Sequence, residues 1–424
     1  MSSEHTLKNV KNKIDSAEGL MRILQVVERF PPRAGGVEYH VLYISRELAK
    51  LGHDVTVVTS KSVAQQDVPG ISNKGLTIRS SLPDLPRHET DNVAVQVYRF
   101  TPRLAFYTLY ITPGLISHIF QHIQEYDIVH VHSYLHAEPS IVAIASKFKK
   151  KPFVLTPHDM ISPYGGLRRV IKNFGDKAFG RRLLRSAAAL IAVAPANRDE
   201  CLQLGAREDQ IRLIPHGVPR EEFEGLKPSV KLLRDLGNPE RVVLSVARLV
   251  EYKGGQYIIQ AIPEILEDYP STKFVFVGHD DGFGEELVRQ AVKKGVYDTC
   301  LFTGQISDER LKEFYATADV FVLTSTAETF GIAALESMAA GTPAVLADLG
   351  GLSYILREVG GFPIDMHADV AKQIARAVKA IFKNDVDKNI IAQRQKVLDN
   401  CSWASVAKQL VSVYEGVLGS GGRP

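Results

Sequence analysis

A chain of 424 residues, 45% hydrophobic and 23% charged, is too long for one compact core of usual size and has material for two. Its formal net charge of +3 is no argument for a nucleic-acid partner, and none is expected. Three distant cysteines (Cys201, Cys300, Cys401) without a CxxC or clustered histidines speak against a disulfide framework or a zinc site and for a reducing cytoplasm, while no run of eighteen apolar residues crosses a membrane.

Along the chain, "MSSEHTLKNVKNKIDSAEGL" (1–20) lacks the apolar centre of a signal peptide and reads as a polar tail. "RILQVVERF" reads as a first strand and "VEYHVLYISRELAKLG" as an amphipathic helix after it. "DVTVVTS", "VAVQVYRF", "YDIVHVH", "PFVLTPH", "ALIAVA" and "IRLIPHGV" continue the alternation of strands with helix-length segments. A polar, proline-bearing stretch (219–240) interrupts it. A second series then runs through "RVVLSVARL", "KFVFVGH", "TCLFTGQ", "DVFVLTS" and "TPAVLAD", and the last forty residues read as helical. The expected fold is α/β, with two doubly wound, Rossmann-like domains (21–218 and 241–400) facing each other across a cleft. Residues 401–424 read as a C-terminal helix packing back toward the N-terminal domain, with a flexible end. Ligands in such sheets bind outside the carboxyl ends of the strands, so the loops there hold the candidate residues.

Several signatures are missing. There is no GxxxxGK[ST] and no HExxH, and "GHDDGFGEEL" places Leu287 where a dinucleotide fingerprint needs its third glycine. One DxD, Asp385 to Asp387, lies in a polar stretch between helices and reads as a solvated loop. No metal site is expected.

What the strand ends carry is more informative. Gly35 and Gly36 open the first helix, where they admit either the close approach of an anionic ligand or a plain tight turn. Arg248 and Lys253 leave the first strand of the second series, and would bracket a diphosphate or else be surface charges. In "LTSTAETFGIAALESMAAGTP" a strand gives way to a helix beginning near Thr329 to Gly331, with Glu328 at its mouth and Glu336 inside it. Carboxylates repel a diphosphate but accept hydrogen bonds from hydroxyls, so this pair suits a sugar and a vicinal diol. Taken singly, each also fits an ordinary helix glutamate.

Gly35-Gly36, "TPHD", "IPHGV", Arg248 with Lys253, "TFGIAALES" after Glu328, and "AAGTPAVLADLGG" stand in an order that resembles the retaining glycosyltransferases of family 4, which have the GT-B fold. The likeness runs from about Met21 to the final helix. It implies transfer of a hexose from a nucleoside-diphosphate sugar to a hydroxyl acceptor, without an essential metal or other cofactor. Arg248 and Lys253 would neutralise the departing diphosphate, and Glu328 would hold donor-sugar hydroxyls. The amides of Thr329, Phe330 and Gly331 would seat the donor, Glu336 would bind the ribose, and Gly36 would close over the diphosphate. His158 would contact the sugar or position the reacting groups, and the loop Gly304–Ser307, with Ile306, would face the base. A donor phosphate oxygen is the expected proton acceptor, so no protein base is named. Tyr354 stands where the family often has glutamate, Thr324 where proline is usual, and His216 where "PNG" is common. His132 reads equally as a satisfied histidine at a strand end or as a cleft residue.

The stretch 167–185 is the most basic in the chain, with apolar residues interleaved. It fits docking on an anionic membrane surface to receive a lipid-linked acceptor, or an amphipathic helix packed on its own domain. A cytoplasmic protein, peripheral at the membrane in the first case, is the corresponding expectation. The rival functions are a GT-B isomerase or phosphorylase, a two-lobed sugar-binding protein, which would need an export signal, and a nicotinamide-dependent dehydrogenase, which would need the spoiled glycine fingerprint.

Overall fold

The computed structural model describes residues 19–31, 35–61, 88–90, 95–106, 109–158, 180–383 and 387–419. Its strands are β1 (Arg22–Val27), β2 (Asp54–Ser60), β3 (His88–Thr90), β4 (Gln96–Phe100), β5 (Leu104–Phe106), β6 (Leu109–Ile111), β7 (Ile128–His132), β8 (Phe153–Thr156), β9 (Ala189–Ala192) and β10 (Ile211–Leu213). The second series is β11 (Arg241–Val246), β12 (Thr272–Val277), β13 (Cys300–Gly304), β14 (Val320–Leu323), β15 (Ala344–Ala347) and β16 (Phe362–Ile364).

One sheet has the order β10-β9-β8-β7-β1-β2-β4-β3 and the other β13-β12-β11-β14-β15-β16. In each, the first strand is flanked by parallel neighbours on both sides: β1 by β2 and β7, β11 by β12 and β14. The strand order reverses there, which makes the carboxyl ends of β1 and β11 the crevices where doubly wound sheets take ligands. These central strands are near-continuous apolar runs because helices cover both faces; Ile23, Leu24, Val26, Val242, Val243 and Leu244 are all buried.

Two compact units result. The first comprises the described residues up to Thr156, Arg185–Leu190 and 410–419; the second comprises the described residues of Pro157–Leu184 and Ile191–Gln409. In the first, the Tyr414 hydroxyl lies 2.7 Å from His130 Nδ1, and His130 Nε2 lies 2.7 Å from Thr156 Oγ1. His132, at the end of β7, is fully buried with Nε2 2.8 Å from Gln25 Oε1.

The parallel α/β expectation holds, and the three terminal helices are Val370–Lys383, Asp387–Asn400 and Trp403–Gly419. Four strands escape the sequence reading: β3, the antiparallel pair β5–β6, and β16. Each is three residues long, too short for an alternation to register. Of "VAVQVYRF", Gln96–Phe100 forms a strand while 93–94 lie outside the described residues, and "IRLIPHGV" forms one only over its first three residues.

Candidate active site

The loops that follow β11 and β14 are stitched together. After β11 the chain makes a 3₁₀ turn, Glu251–Lys253, and enters the helix Gly255–Asp268 through Gly254 at φ 79°. A Cβ there would sit 2.2 Å from the Thr324 carbonyl oxygen, so only glycine allows this approach as well as this dihedral. The Thr324 hydroxyl donates to the Gly254 carbonyl at 3.0 Å, a bond that the family's usual proline cannot make. Thr326 N–H and the Ser325 hydroxyl both donate to the Tyr252 carbonyl, at 2.8 and 3.2 Å.

This stitching sets Lys253 against Glu328, with Nζ 2.5 Å from Oε2 and both side chains about five-sixths buried. Two residues singled out separately in the sequence are thus one ion pair. Arg248 is held by two residues that sequence reasoning missed: Nη1 donates to Asp281 at 2.6 Å and Nη2 to the Tyr252 hydroxyl at 2.5 Å. Tyr252 also places its ring 5.4 Å from Lys253 Nζ, so a single tyrosine orients both cations. Its position one residue before Lys253 was the available signal.

Glu328 leads into the helix Ile332–Ala340, whose N-cap is Gly331. No side chain caps that end, and its first turn has no acidic residue. The first amides of a helix lack intrahelical partners and carry partial positive charge, a setting for an anion. From behind, Gly351 N–H donates to the Glu328 carbonyl at 2.9 Å, and Phe330 is buried. Inside the helix, Glu336 Oε2 accepts the Tyr315 hydroxyl at 3.0 Å. Burial pushes its carboxyl up to about 7 against that hydrogen bond. Ile306 is half-buried against the core, one residue before Ser307, which caps the helix Asp308–Thr317 through Arg310 N–H.

His158 is buried at φ 44°, a left-handed conformation rare outside glycine and a form of strain that collects at functional sites. Its ring stacks on His216 at 5.4 Å, and His216 meets Phe330 edge-on at 4.9 Å. Burial, with His158 beside it, holds the His216 imidazole well below 6.5 and hence neutral at physiological pH. Where the family often has asparagine, this chain therefore uses a neutral histidine as a spacer between two predicted site residues.

Gly35 and Gly36 belong to the first unit, at the start of the helix Gly36–Lys50. Gly35 is extended, and a Cβ on it would meet Glu38 Oε2 at 2.3 Å, where Glu38 pairs with Arg29 at 3.4 Å. In "GHDDGFGEEL" the Asp280 Oδ1 accepts from the amides of Gly282, Phe283 and Gly284 at 2.9, 3.0 and 2.9 Å. These amide bonds, Gly284's foremost, hold that carboxyl below its usual range. A carboxylate already sits where a dinucleotide's pyrophosphate would need to be. Most of 167–185 and of the DxD lies outside the described residues; Arg181, Arg182 and Arg185 are exposed on the helix Arg181–Ser186. No described helix is long and apolar enough to cross a membrane.

Two family models account for most of the chain. Residues 34–222 match "Glycosyltransferase Family 4" and residues 234–397 match "Glycosyl transferases group 1". A D-inositol 3-phosphate glycosyltransferase of Acidothermus cellulolyticus is 30% identical over 415 residues, covering 91% of this chain and 86% of its own. A phosphatidyl-myo-inositol mannosyltransferase of Mycobacterium tuberculosis is 28% identical over 399 residues, covering 92% and 95%. The solved Anabaena HepE, in complex with UDP and glucose, superposes with a TM-score of 0.71 at 20% identity, over 93% of this chain and all of that one. The chain belongs to the family 4 glycosyltransferases and has their GT-B fold.

Proposed function

We propose that the protein transfers a hexose, with retention of anomeric configuration, from a nucleoside-diphosphate sugar to a hydroxyl of an inositol-bearing acceptor. The observation that carries the donor half is the Lys253–Glu328 pair at the mouth of an uncapped helix. Lys253 and Arg248 face the charge that grows on the diphosphate as the sugar–phosphate bond breaks, the point where fixed cations contribute most to rate. Glu328 accepts hydrogen bonds from sugar hydroxyls. The acceptor oxygen bonds to the anomeric carbon on the face the diphosphate leaves, and its proton passes to a phosphate oxygen. The diphosphate's charge is met by these side chains and by helix amides, with no bridging metal. The acceptor half takes its support from the relatives named above, both of which act on inositol compounds.

The test is a product assay with UDP- and GDP-hexoses against inositol, inositol phosphate and phosphatidylinositol in vesicles, with the new linkage read by NMR. An α-linked inositol glycoside from an α-linked donor is the expected result. Nucleotide release without a glycosylated product would instead favour the isomerase or phosphorylase reading.

Donor affinity carries a pH signature. A ribose diol that donates from both hydroxyls favours the ionised form of Glu336, whose carboxyl is pushed up to about 7 by burial in the free protein. Affinity for the sugar conjugate, whose diphosphate exchanges no proton in this range, is therefore full above about pH 7. It falls by up to about tenfold per unit below that, because each bound donor must then displace a proton. Calorimetric titrations at pH 6 and 8 should show the slope in the wild type and its loss in Glu336→Gln.

A further inference from the structure

We infer that the first unit holds a binding site for one divalent transition-metal ion, formed by Glu28, His136 and Glu138. Glu28 immediately follows β1. His136 lies in the loop after β7, and Glu138 begins the helix Glu138–Lys149. Since β1 and β7 are adjacent at the order reversal of the sheet, the three converge on the crevice where such sheets take ligands. The Glu28 carbonyl is fixed from the other side by Ser60 N–H at 3.1 Å and the Thr59 hydroxyl at 3.2 Å, which ties its position to β2.

One oxygen or nitrogen from each residue lies within 4.8 Å of the others. Two ligands on one ion, each at about 2.1 Å, can be no more than about 4.2 Å apart, so small side-chain rotations bring the set to coordination distance. Glu28 and Glu138 are each 98% buried. Glu138 Oε2 has no hydrogen-bond partner among the described residues, and neither Glu28 oxygen accepts a well-formed hydrogen bond, although Oε2 touches His136 Nδ1. Buried carboxylates are normally paired or bound to metal. Here two face one imidazole, and Arg29, which ion-pairs with Glu38 at 3.4 Å, attracts Glu138 as a nearby charge while leaving its Oε2 without a hydrogen bond. One imidazole nitrogen with two carboxylates is the ligand chemistry of Mn²⁺, Fe²⁺ or Zn²⁺; calcium takes six to eight oxygens, and magnesium keeps much of its water.

The ion belongs to residues of the first unit alone, so the inference does not rest on the donor reading. Its test uses the full-length protein, stripped with chelator, returned to chelator-free buffer and titrated with MnCl₂ while free Mn²⁺ is read by electron paramagnetic resonance. One ion per chain should bind and raise Tm. Loss of an outer-shell partner alone weakens metal sites by roughly 10–100-fold, so the isosteric Glu138→Gln and Glu28→Gln should each weaken binding by about 100-fold or more. Far-UV circular dichroism confirms that each variant is folded. Sub-stoichiometric binding by the wild type, or wild-type affinity in both folded variants, would overturn the site.

Discussion

Lys253→Met should lower kcat/KM for transfer by about 10²–10³, the usual effect of removing one preorganised charge from where a leaving group develops its own. The structure adds a second term, because Lys253 is the ion-pair partner of Glu328 at 2.5 Å in a largely buried setting. Removing it leaves a carboxylate unpaired at the place a diphosphate must approach, so nucleotide affinity should fall as well. Glu328→Gln behaves differently: turnover drops sharply with the loss of an acceptor for sugar hydroxyls, while nucleotide binding stays near wild type. Pairing the two changes separates these effects. The double variant should regain part of the nucleotide affinity lost in Lys253→Met and none of the turnover, a coupling expected of residues in contact. Wild-type kcat/KM in Lys253→Met would remove the lysine from the site.

Gly351→Ala is the second substitution expected to have a large effect, although glycine 351 presents no functional group. A Cβ there would lie 2.3 Å from both the Thr329 carbonyl oxygen and Phe330 Cα. These are backbone atoms of the segment that carries Glu328, so no side-chain rotation relieves the clash. Either that segment or the helix Gly350–Glu358 must move, breaking the 2.9 Å bond from Gly351 N–H to the Glu328 carbonyl. Overpacking of this kind costs about 1–3 kcal/mol, seen as a lower Tm. Activity should suffer more than stability, since a shift of about 1 Å at a positioning element can cost about a hundredfold in rate. Gly416→Ala is the control: a Cβ there meets nothing within 4 Å, and alanine favours the helix Trp403–Gly419. If Gly351→Ala matches that control in Tm and turnover, the clamp on Glu328 has no functional weight.

Most of the fold was legible because parallel strands buried on both faces have to be apolar along their whole length. "RVVLSVARL" and "DVFVLTS" announce β11 and β14 without any knowledge of their neighbours. The three-residue strands were not legible, since their pairing depends on longer strands beside them rather than on their own pattern. Lys253, Arg248 and Glu328 could be picked out because charge in the loops after strands is conspicuous in so apolar a pattern, and Glu336 because it is the one charge in a largely apolar helix. Asp281 could not, being an ordinary loop residue until the tertiary structure shows it holding Arg248, and Tyr252 offered only its place beside Lys253. His216 stood out only as a departure from a motif, and its contact with Phe330 lies more than a hundred residues away in sequence.

What the sequence by itself determined is the alternation of strand and helix, the division into two series, and the ends of strands at which chemistry-bearing residues emerge. Those follow from local periodicity and burial, which each segment carries within itself. Which of those residues meet was decided by tertiary structure alone. Lys253 and Glu328 are 75 positions apart and pair because Gly254 lets one loop press against Thr324 of another. Glu28 and Glu138, which nothing in the sequence connected, converge because β1 and β7 are neighbours where the strand order reverses. Strand order is a property of the assembled sheet, and no window of sequence contains it.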